Sequence, residues 1–291
     1  MNERIRLLLN EVYEPAQAEA TYQHICDLLE RYRHLISAPK VINPLTERDV
    51  VLITYADTLQ QKNVPPLETL YQFSVEHFKG FISAIHLLPF YPASSDDGFS
   101  VIDYYMVDPD FGTWEHIQRL GQEFDLMFDA VINHMSAKSD WFRRFLNQEQ
   151  EYAQAFVTAT PQDDLSKVVR PRTSPLLTAF TRPNGETIHV WTTFSADQVD
   201  LNYHDPQTLL RVLDVLLFYV QHGARFLRLD AIAFLWKELH TPCIHLPQTH
   251  AIIQLVRAVF DEIAPHVLLI TETNVPHDEN ISYFGNGYNE A

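Results

Sequence analysis

The strongest constraint on this chain is a set of five continuous apolar runs, each closed at its C-terminal side by polar residues. They begin at positions 50, 82, 126, 224 and 267; the first reads Val50-Val51-Leu52-Ile53-Thr54-Tyr55-Ala56 and the last Val267-Leu268-Leu269-Ile270-Thr271-Glu272. Runs of this length without polar alternation predict strands buried on both faces, hence a parallel sheet. Helical periodicity lies between them over 114–122, 209–221 and 251–263, and Gly223 is placed to cap the second of these helices. Repeated strand–helix units define an α/β fold. Positions 126 and 224 are too far apart for one loop and one helix. Residues 135–200 are therefore expected to form an inserted subdomain, rich in Pro and Thr, with a strand-like piece over 189–194. Residues 1–49 read as an N-terminal helical extension, striped by Ile5, Leu8, Leu9, Val12, Ile25, Leu28, Leu29 and Leu35, with Pro39 and Pro44 marking its exit. Segments 50–134 and 201–291 are then two parts of one barrel.

Charge and motif content exclude whole classes of function. Against 38 Asp plus Glu stand 21 Lys plus Arg, a net charge of -17. Such a surface repels phosphate backbones and anionic lipid, so neither nucleic acid nor a membrane is an expected partner. No apolar run approaches the roughly 20 residues that span a bilayer, and the opening Met-Asn-Glu-Arg lacks the pattern of a secretory leader. Cys26 and Cys243, without a CxxC, suit a reduced, cytoplasmic protein rather than a disulfide framework or zinc knuckle. Only eight glycines occur, and neither GxxxxGK[ST] nor GxGxxG is among them, so no nucleotide cofactor is expected. HExxH is absent, and His240, His245 and His250 have no ligand spacing; no metal is expected, and these histidines read as surface or packing residues. The sequon Asn280-Ile281-Ser282 is incidental in such a chain.

The chemistry lies where the strands end. Ser94-Ser95-Asp96-Asp97-Gly98-Phe99 follows the second run, Asn133-His134 the third, Arg228-Leu229-Asp230 the fourth and Thr271-Glu272-Thr273-Asn274 the fifth. Strand alternation puts Arg228 and Asp230 on one side, with Leu229 opposite. Polar groups at the carboxyl ends of several parallel strands are how a (β/α)8 barrel builds its site. Two carboxylates on neighbouring strands, Asp230 and Glu272, suit glycosidic chemistry, one attacking the sugar carbon and the other protonating the departing oxygen. Arg228 is expected to hold Asp230 ionised, and the apolar strand before Glu272 to raise it toward a general acid. Singly, these residues have plainer readings: Asp230 an ion pair with Arg228, Glu272 a helix cap, His134 a satisfied buried histidine, Asp96-Asp97-Gly98 a turn, Phe99 and Phe194 core aromatics, Arg172 an exposed loop arginine.

Together the motifs carry a resemblance. Phe128-Asp129-Ala130-Val131-Ile132-Asn133-His134, Arg228-Leu229-Asp230-Ala231 and Ile270-Thr271-Glu272 are similar to three signature regions of the α-amylase superfamily, glycoside hydrolase family 13. More narrowly, His86-Leu87-Leu88-Pro89-Phe90, Asp96-Asp97-Gly98-Phe99, Asn133-His134-Met135-Ser136 and Arg170-Pro171-Arg172 resemble the sucrose phosphorylase group. Leu176 to Phe180 and Thr271 to His277 resemble its glucosylglycerate phosphorylase branch. The resemblance implies a TIM barrel of the α-amylase type and a retaining α-glucosyl transfer from a sugar substrate to inorganic phosphate. It implies Asp230 as nucleophile, Glu272 as acid/base and Arg228 as the arginine beside the nucleophile. It further implies Asp96 and His134 as glucose-binding residues, Phe99 and Phe194 as aromatic walls, and Arg172 as a loop arginine near phosphate or the acceptor. Val169 stands where sucrose phosphorylases carry a tyrosine, which speaks against sucrose.

One family feature has no match. The fourth region, a His-Asp pair after a later strand that supplies a transition-state carboxylate, does not occur before Ala291. With the extension and the insertion set aside, the remaining length fits five strand–helix units, not eight. The expectation is a barrel truncated after about its fifth strand, with open sheet edges that favour self-association. The alternatives to a glucosylglycerate phosphorylase are a sucrose or sucrose 6-phosphate phosphorylase, and a non-catalytic remnant of such an enzyme. A metal-dependent hydrolase would need a His-x-His on the first strand, where Ile53-Thr54-Tyr55 stands.

Overall fold

The computed structural model describes residues 3–36, 44–287 and 289–291; Pro39, expected to mark the exit of the extension, lies outside them. The chain opens with α1 (Glu3–Val12) and α2 (Pro15–Tyr32), split where Pro15 starts the second helix. There follow β1 (Val51–Thr54), α3 (Pro66–His77), β2 (Ala84–Leu87), α4 (Trp114–Gly121) and β3 (Asp125–Ala130). Between β3 and the next long helix come β4 (His134–Ser136), α5 (Asp140–Leu146), β5 (Leu177–Thr181), β6 (Thr187–Trp191) and β7 (Gln198–Asp200). The chain then resumes its alternation with α6 (Pro206–Gln221), β8 (Ala224–Leu229), α7 (Pro247–Ile263), β9 (Leu268–Thr271) and a short α8 (His277–Asn280).

Five strands pair in parallel in the order β1-β2-β3-β8-β9, so each long-range neighbour is the next strand of its kind along the chain. This is the arrangement of five consecutive units of a (β/α)8 barrel. The remaining strands form two separate antiparallel pairs, β4 with β7 and β5 with β6. Every apolar run named from the sequence overlaps one barrel strand, β3 starting one residue earlier at Asp125. Local chemistry fixes the helix starts: the Asp205 side chain accepts from the Gln207 amide with Pro206 at the first position of α6, and Ser139 accepts from Phe142 at the start of α5. Gly223, at φ 101, ends α6 and turns the chain into β8.

The register sorts the strands into two faces. The outer face, with Ile85, Phe128, Leu227 and Leu269, is sealed by the helices into the main core. The inner face carries Ala84, Met127, Phe226 and Leu268 as a second, smaller apolar cluster. Here the expectation of burial on both faces fails for the outer strands: on β1 Val51 and Ile53 are 41% and 63% exposed, and on β9 Ile270 is 40% exposed. An apolar run records that a strand suits burial, not that a neighbour covers it. In the extension, Ile5, Leu8, Leu9, Ile25, Leu28 and Leu29 are buried as the stripe predicts, but Leu35 lies past the end of α2 and is exposed. α1 packs on α7 and α2 on α6, so the extension clasps the back of the later units.

Candidate functional site

At the carboxyl ends of the strands lies a cleft of about 720 Å³, and all eight residues singled out from the sequence line it. Asp96 sits in a tight turn whose Asp96 and Asp97 adopt left-handed φ values of 56 and 49. Gly98 follows at φ 99, and a Cβ there would lie 2.8 Å from the Pro89 carbonyl oxygen, so the turn closes onto β2 only with glycine. This geometry swings Asp96 over the cleft, where its Oδ2 accepts from Gln198 Nε2 at 2.8 Å. His134, at the start of β4, is buried; its Nε2 donates to the Phe99 carbonyl at 3.0 Å, while Asn133 Nδ2 donates to its Nδ1 at 3.2 Å. Those two bonds select the neutral tautomer with the proton on Nε2, and burial likewise pushes the imidazole's pKa down.

A buried polar hub holds these parts in place. Asp200, on β7, takes Lys237 Nζ at 2.7 Å, the Thr193 amide at 2.9 Å and Asn133 Nδ2 at 3.3 Å. Lys237 also donates to Asn133 Oδ1 at 2.8 Å, tying the loop after β8 to the end of β3. Phe194 packs edgewise on Phe234 with centroids 5.6 Å apart and stands 5.2 Å from the His134 ring. Across the cleft Arg228 lays its guanidinium over Phe99, 5.6 Å from the ring centre. Aromatic walls beside carboxylates and a histidine give the cleft apolar faces flanked by hydrogen-bonding groups.

Asp230 and Glu272 close the floor from adjacent strands. Glu272 Oε2 accepts from the Ala231 amide at 3.1 Å, and Ala231 holds φ 51, a left-handed value that turns the chain sharply after Asp230. One electrostatic expectation needs correction. Arg228 Nη1 reaches Asp230 Oδ1 at 3.3 Å, but its closer partner is Asp129. Burial dominates at Asp230, and the carboxylates of Glu272, Asp129 and Asp96 add to it, so its pKa is pushed up to about 7 despite Arg228. Glu272 itself is half-buried, and its Oε2 is held by that backbone amide.

Arg172 lies on the exposed rim of the cleft and makes no hydrogen bond or ion pair with the described residues. The Val169 amide donates to the Pro242 carbonyl at 2.9 Å, which fixes this loop against the one after β8. His245, read as a surface or packing residue, lines the cleft: Tyr283 bonds its Nδ1 at 2.7 Å and Glu279 its Nε2 at 3.1 Å. His250 instead pairs with Glu290 at 2.6 Å, away from the cleft. Gln198 was passed over although Gln198-Val199-Asp200 has the same alternation as Arg228-Leu229-Asp230. Asp129 was passed over as part of an apolar strand, where a lone carboxylate was the signal. Among the described residues no group of three His, Cys, Asp or Glu is placed to hold a metal ion.

The model of the α-amylase catalytic domain matches residues 79–291. The chain belongs to the α-amylase family. Within it, glucosylglycerate phosphorylase of Spirochaeta thermophila is 51% identical over 97% of this chain and 49% of its own length. The protein of that name from Allomeiothermus silvanus is 55% identical over 84% of the chain and 44% of its own. Among solved structures of this α-amylase fold, sucrose 6F-phosphate phosphorylase from Thermoanaerobacter thermosaccharolyticum superposes with a TM-score of 0.73 at 28% identity, over 83% of this chain and 51% of that one. The chain thus spans about half the length of the curated α-amylase relatives that it matches.

Proposed function

We propose that this chain supplies the nucleophile, the acid/base and the glucose pocket of a retaining α-glucosyl phosphorylase, with glucosylglycerate as its glucoside. The observation that carries the reading is the pair Asp230 and Glu272, on neighbouring strands and facing one cleft, with Glu272 anchored to the amide that follows Asp230. Asp230, ionised, attacks the anomeric carbon; the bond to the glycerate oxygen breaks, and Glu272 gives that oxygen its proton. A phosphate oxygen then attacks the glucosyl ester from the opposite face while Glu272 takes its proton, releasing α-glucose 1-phosphate and free Asp230. Asp96 and His134 would bind the glucose hydroxyls between Phe99 and Phe194, and Arg228 would steady Asp230. Arg172, whose guanidinium has no partner among the described residues, would take phosphate or the glycerate carboxylate with a bidentate fork. Segments 50–134 and 201–291 would act as one barrel body, with 135–200 as its inserted subdomain and 1–49 as its clasp. Two cysteines without a bridge support a cytoplasmic setting.

A second reading, favoured by the exposed inner-face residues Val51, Ile53 and Ile270, is a sugar-binding chain that self-associates through β1 and β9 without turnover. One experiment separates the two. The purified chain is incubated with a 5-fluoro-α-glucosyl fluoride, and its mass is read. The phosphorylase reading expects a single glucosyl adduct on the peptide containing Asp230, lost in Asp230→Asn, together with glucose 1-phosphate formation from glucosylglycerate. Sugar binding with neither adduct nor product would favour the second reading.

A further inference from the structure

Asp230 is linked to a buried histidine two strands away. His86 on β2 bonds Asp129 Oδ2 through its Nε2 at 2.8 Å, and Asp129 Oδ1 is bonded by Arg228 Nη1. The same Nη1 is the atom that reaches Asp230 at 3.3 Å. Asp129 and Arg228 are direct partners in the β3–β8 register, and His86 lies diagonally across on β2. All four side chains stand on the inner face of the sheet. His86 and Asp129 are buried, and neither lines the cleft, so neither touches a substrate.

We propose that His86 is a positioning residue that sets the protonation of Asp230 through Asp129 and Arg228. One guanidinium nitrogen serves two carboxylates here, so its charge is divided between them. With a proton on His86, Asp129 has a cation of its own, and Arg228 is released toward Asp230, which favours the ionised nucleophile. With His86 neutral, Arg228 is drawn to Asp129 and Asp230 keeps its proton. The remaining groups facing Asp230 do not supply this balance: Glu272 from β9 and Asp96 from the turn after β2 are both acidic. The Tyr104 hydroxyl is committed to the carbonyls of Val131 and His134. Around His86 and Asp129 the other titratable neighbours are Tyr55, on the loop after β1, and Tyr91, whose hydroxyl donates to the Asp129 carbonyl at 3.3 Å. Arg228 is thus the cation shared among Asp230, Asp129, Glu272 and Asp96, and His86 is the imidazole joined to it through Asp129.

The proposal rests on the reading of Asp230 as nucleophile, but its test does not. Protein carrying [γ-13C]aspartate is titrated by NMR, with the Asp230 signal assigned by its loss in Asp230→Asn. His86→Gln, with His86→Asn as a second variant, is expected to move the Asp230 midpoint up by about half a pH unit or more. Asp129→Asn, which leaves Arg228 to Asp230 alone, is expected to move it down. An unmoved midpoint in a folded His86 variant overturns the proposal, as does a shift of the same sign in the His86 and Asp129 variants. If neither His86 variant folds, the direction seen in Asp129→Asn decides. Because the titration needs no turnover, it distinguishes failure of the relay from failure of the glucosyl-transfer reading. In active protein the acid limb of kcat should shift with the same signs, which a merely structural role would not produce.

Discussion

A carboxyl held near pH 7 in the folded chain leaves a mark on stability as well as on chemistry. Asp230 rises from an ordinary 3.8 to about 7, chiefly by burial. Between those values the unfolded chain has released this proton and the folded chain has kept it. The unfolded state binds fewer protons there, so stability falls as pH rises from about 4 to about 7, and the loss is complete above that. Three pH units correspond to roughly 4 kcal/mol as an upper figure. Asp230→Asn should abolish this slope and be the more stable protein at pH 8, with the advantage shrinking toward pH 4.5. Calorimetric Tm across that range checks it; parallel curves would show that Asp230 titrates alike in both states. The proposed glucosyl transfer would place the opposite demand on the same atom, since only the ionised form could attack. Turnover should therefore decline below about pH 7, the midpoint set by Asp230. At the rim, Arg172→Ala should slow glucosyl transfer to phosphate more than hydrolysis of the glucosyl ester by water, by about tenfold or more. Equal losses in both reactions would give Arg172 only a supporting role.

Elements, rather than single side chains, decide which of these groups meet. The turn at Asp96–Gly98 is the sharpest case, because it reaches the cleft only through three successive left-handed residues. Gly98→Ala would press a methyl group against the Pro89 carbonyl and impose a positive φ on alanine, costing about 1–3 kcal/mol. Its expected signature is a lowered Tm with weakened glucose binding, since Asp96 moves with the turn; an unchanged affinity would mean that the turn relaxes without displacing it. Much of this was legible in the sequence. Apolar runs located all five barrel strands, and alternation put Arg228 beside Asp230, because both signals are local. What escaped depends on closure between distant segments. Gln198 reaches Asp96 only when β7 pairs with β4. The division of Arg228 between two carboxylates needs the β3–β8 register. The inner-face exposure of Ile53 and Ile270 escaped for a related reason: hydropathy reports what a side chain prefers, not whether something lies opposite it.

At the scale of the molecule, that inner face is the main surface at odds with water. β1 and β9 are the outer strands of the sheet, and the exposed Val51, Ile53 and Ile270 adjoin the small cluster of Ala84, Met127, Phe226 and Leu268. Exposed strand edges with apolar side chains invite pairing with another chain. Sedimentation is expected to show concentration-dependent association that persists in high salt, because burial of apolar surface drives it. The double substitution Ile53→Lys and Ile270→Lys should shift the chain toward monomer without lowering its Tm. A wild-type monomer at all concentrations would rule this out. The clasp formed by α1 has a different consequence, one of timing. On a ribosome, each barrel strand emerges next to the strand it will pair with, so the sheet can grow in the order of synthesis. α1 is made before all of these strands, yet its seat on α7, with Arg4 bonded to Asp261 at 3.1 Å, is made more than two hundred residues later. Of the two helices that α1 packs against, α2 emerges directly after it, but α7 comes far later, and closing so long a loop makes that second docking a late event. Until α7 emerges, a nascent-chain chaperone has one obvious place to hold.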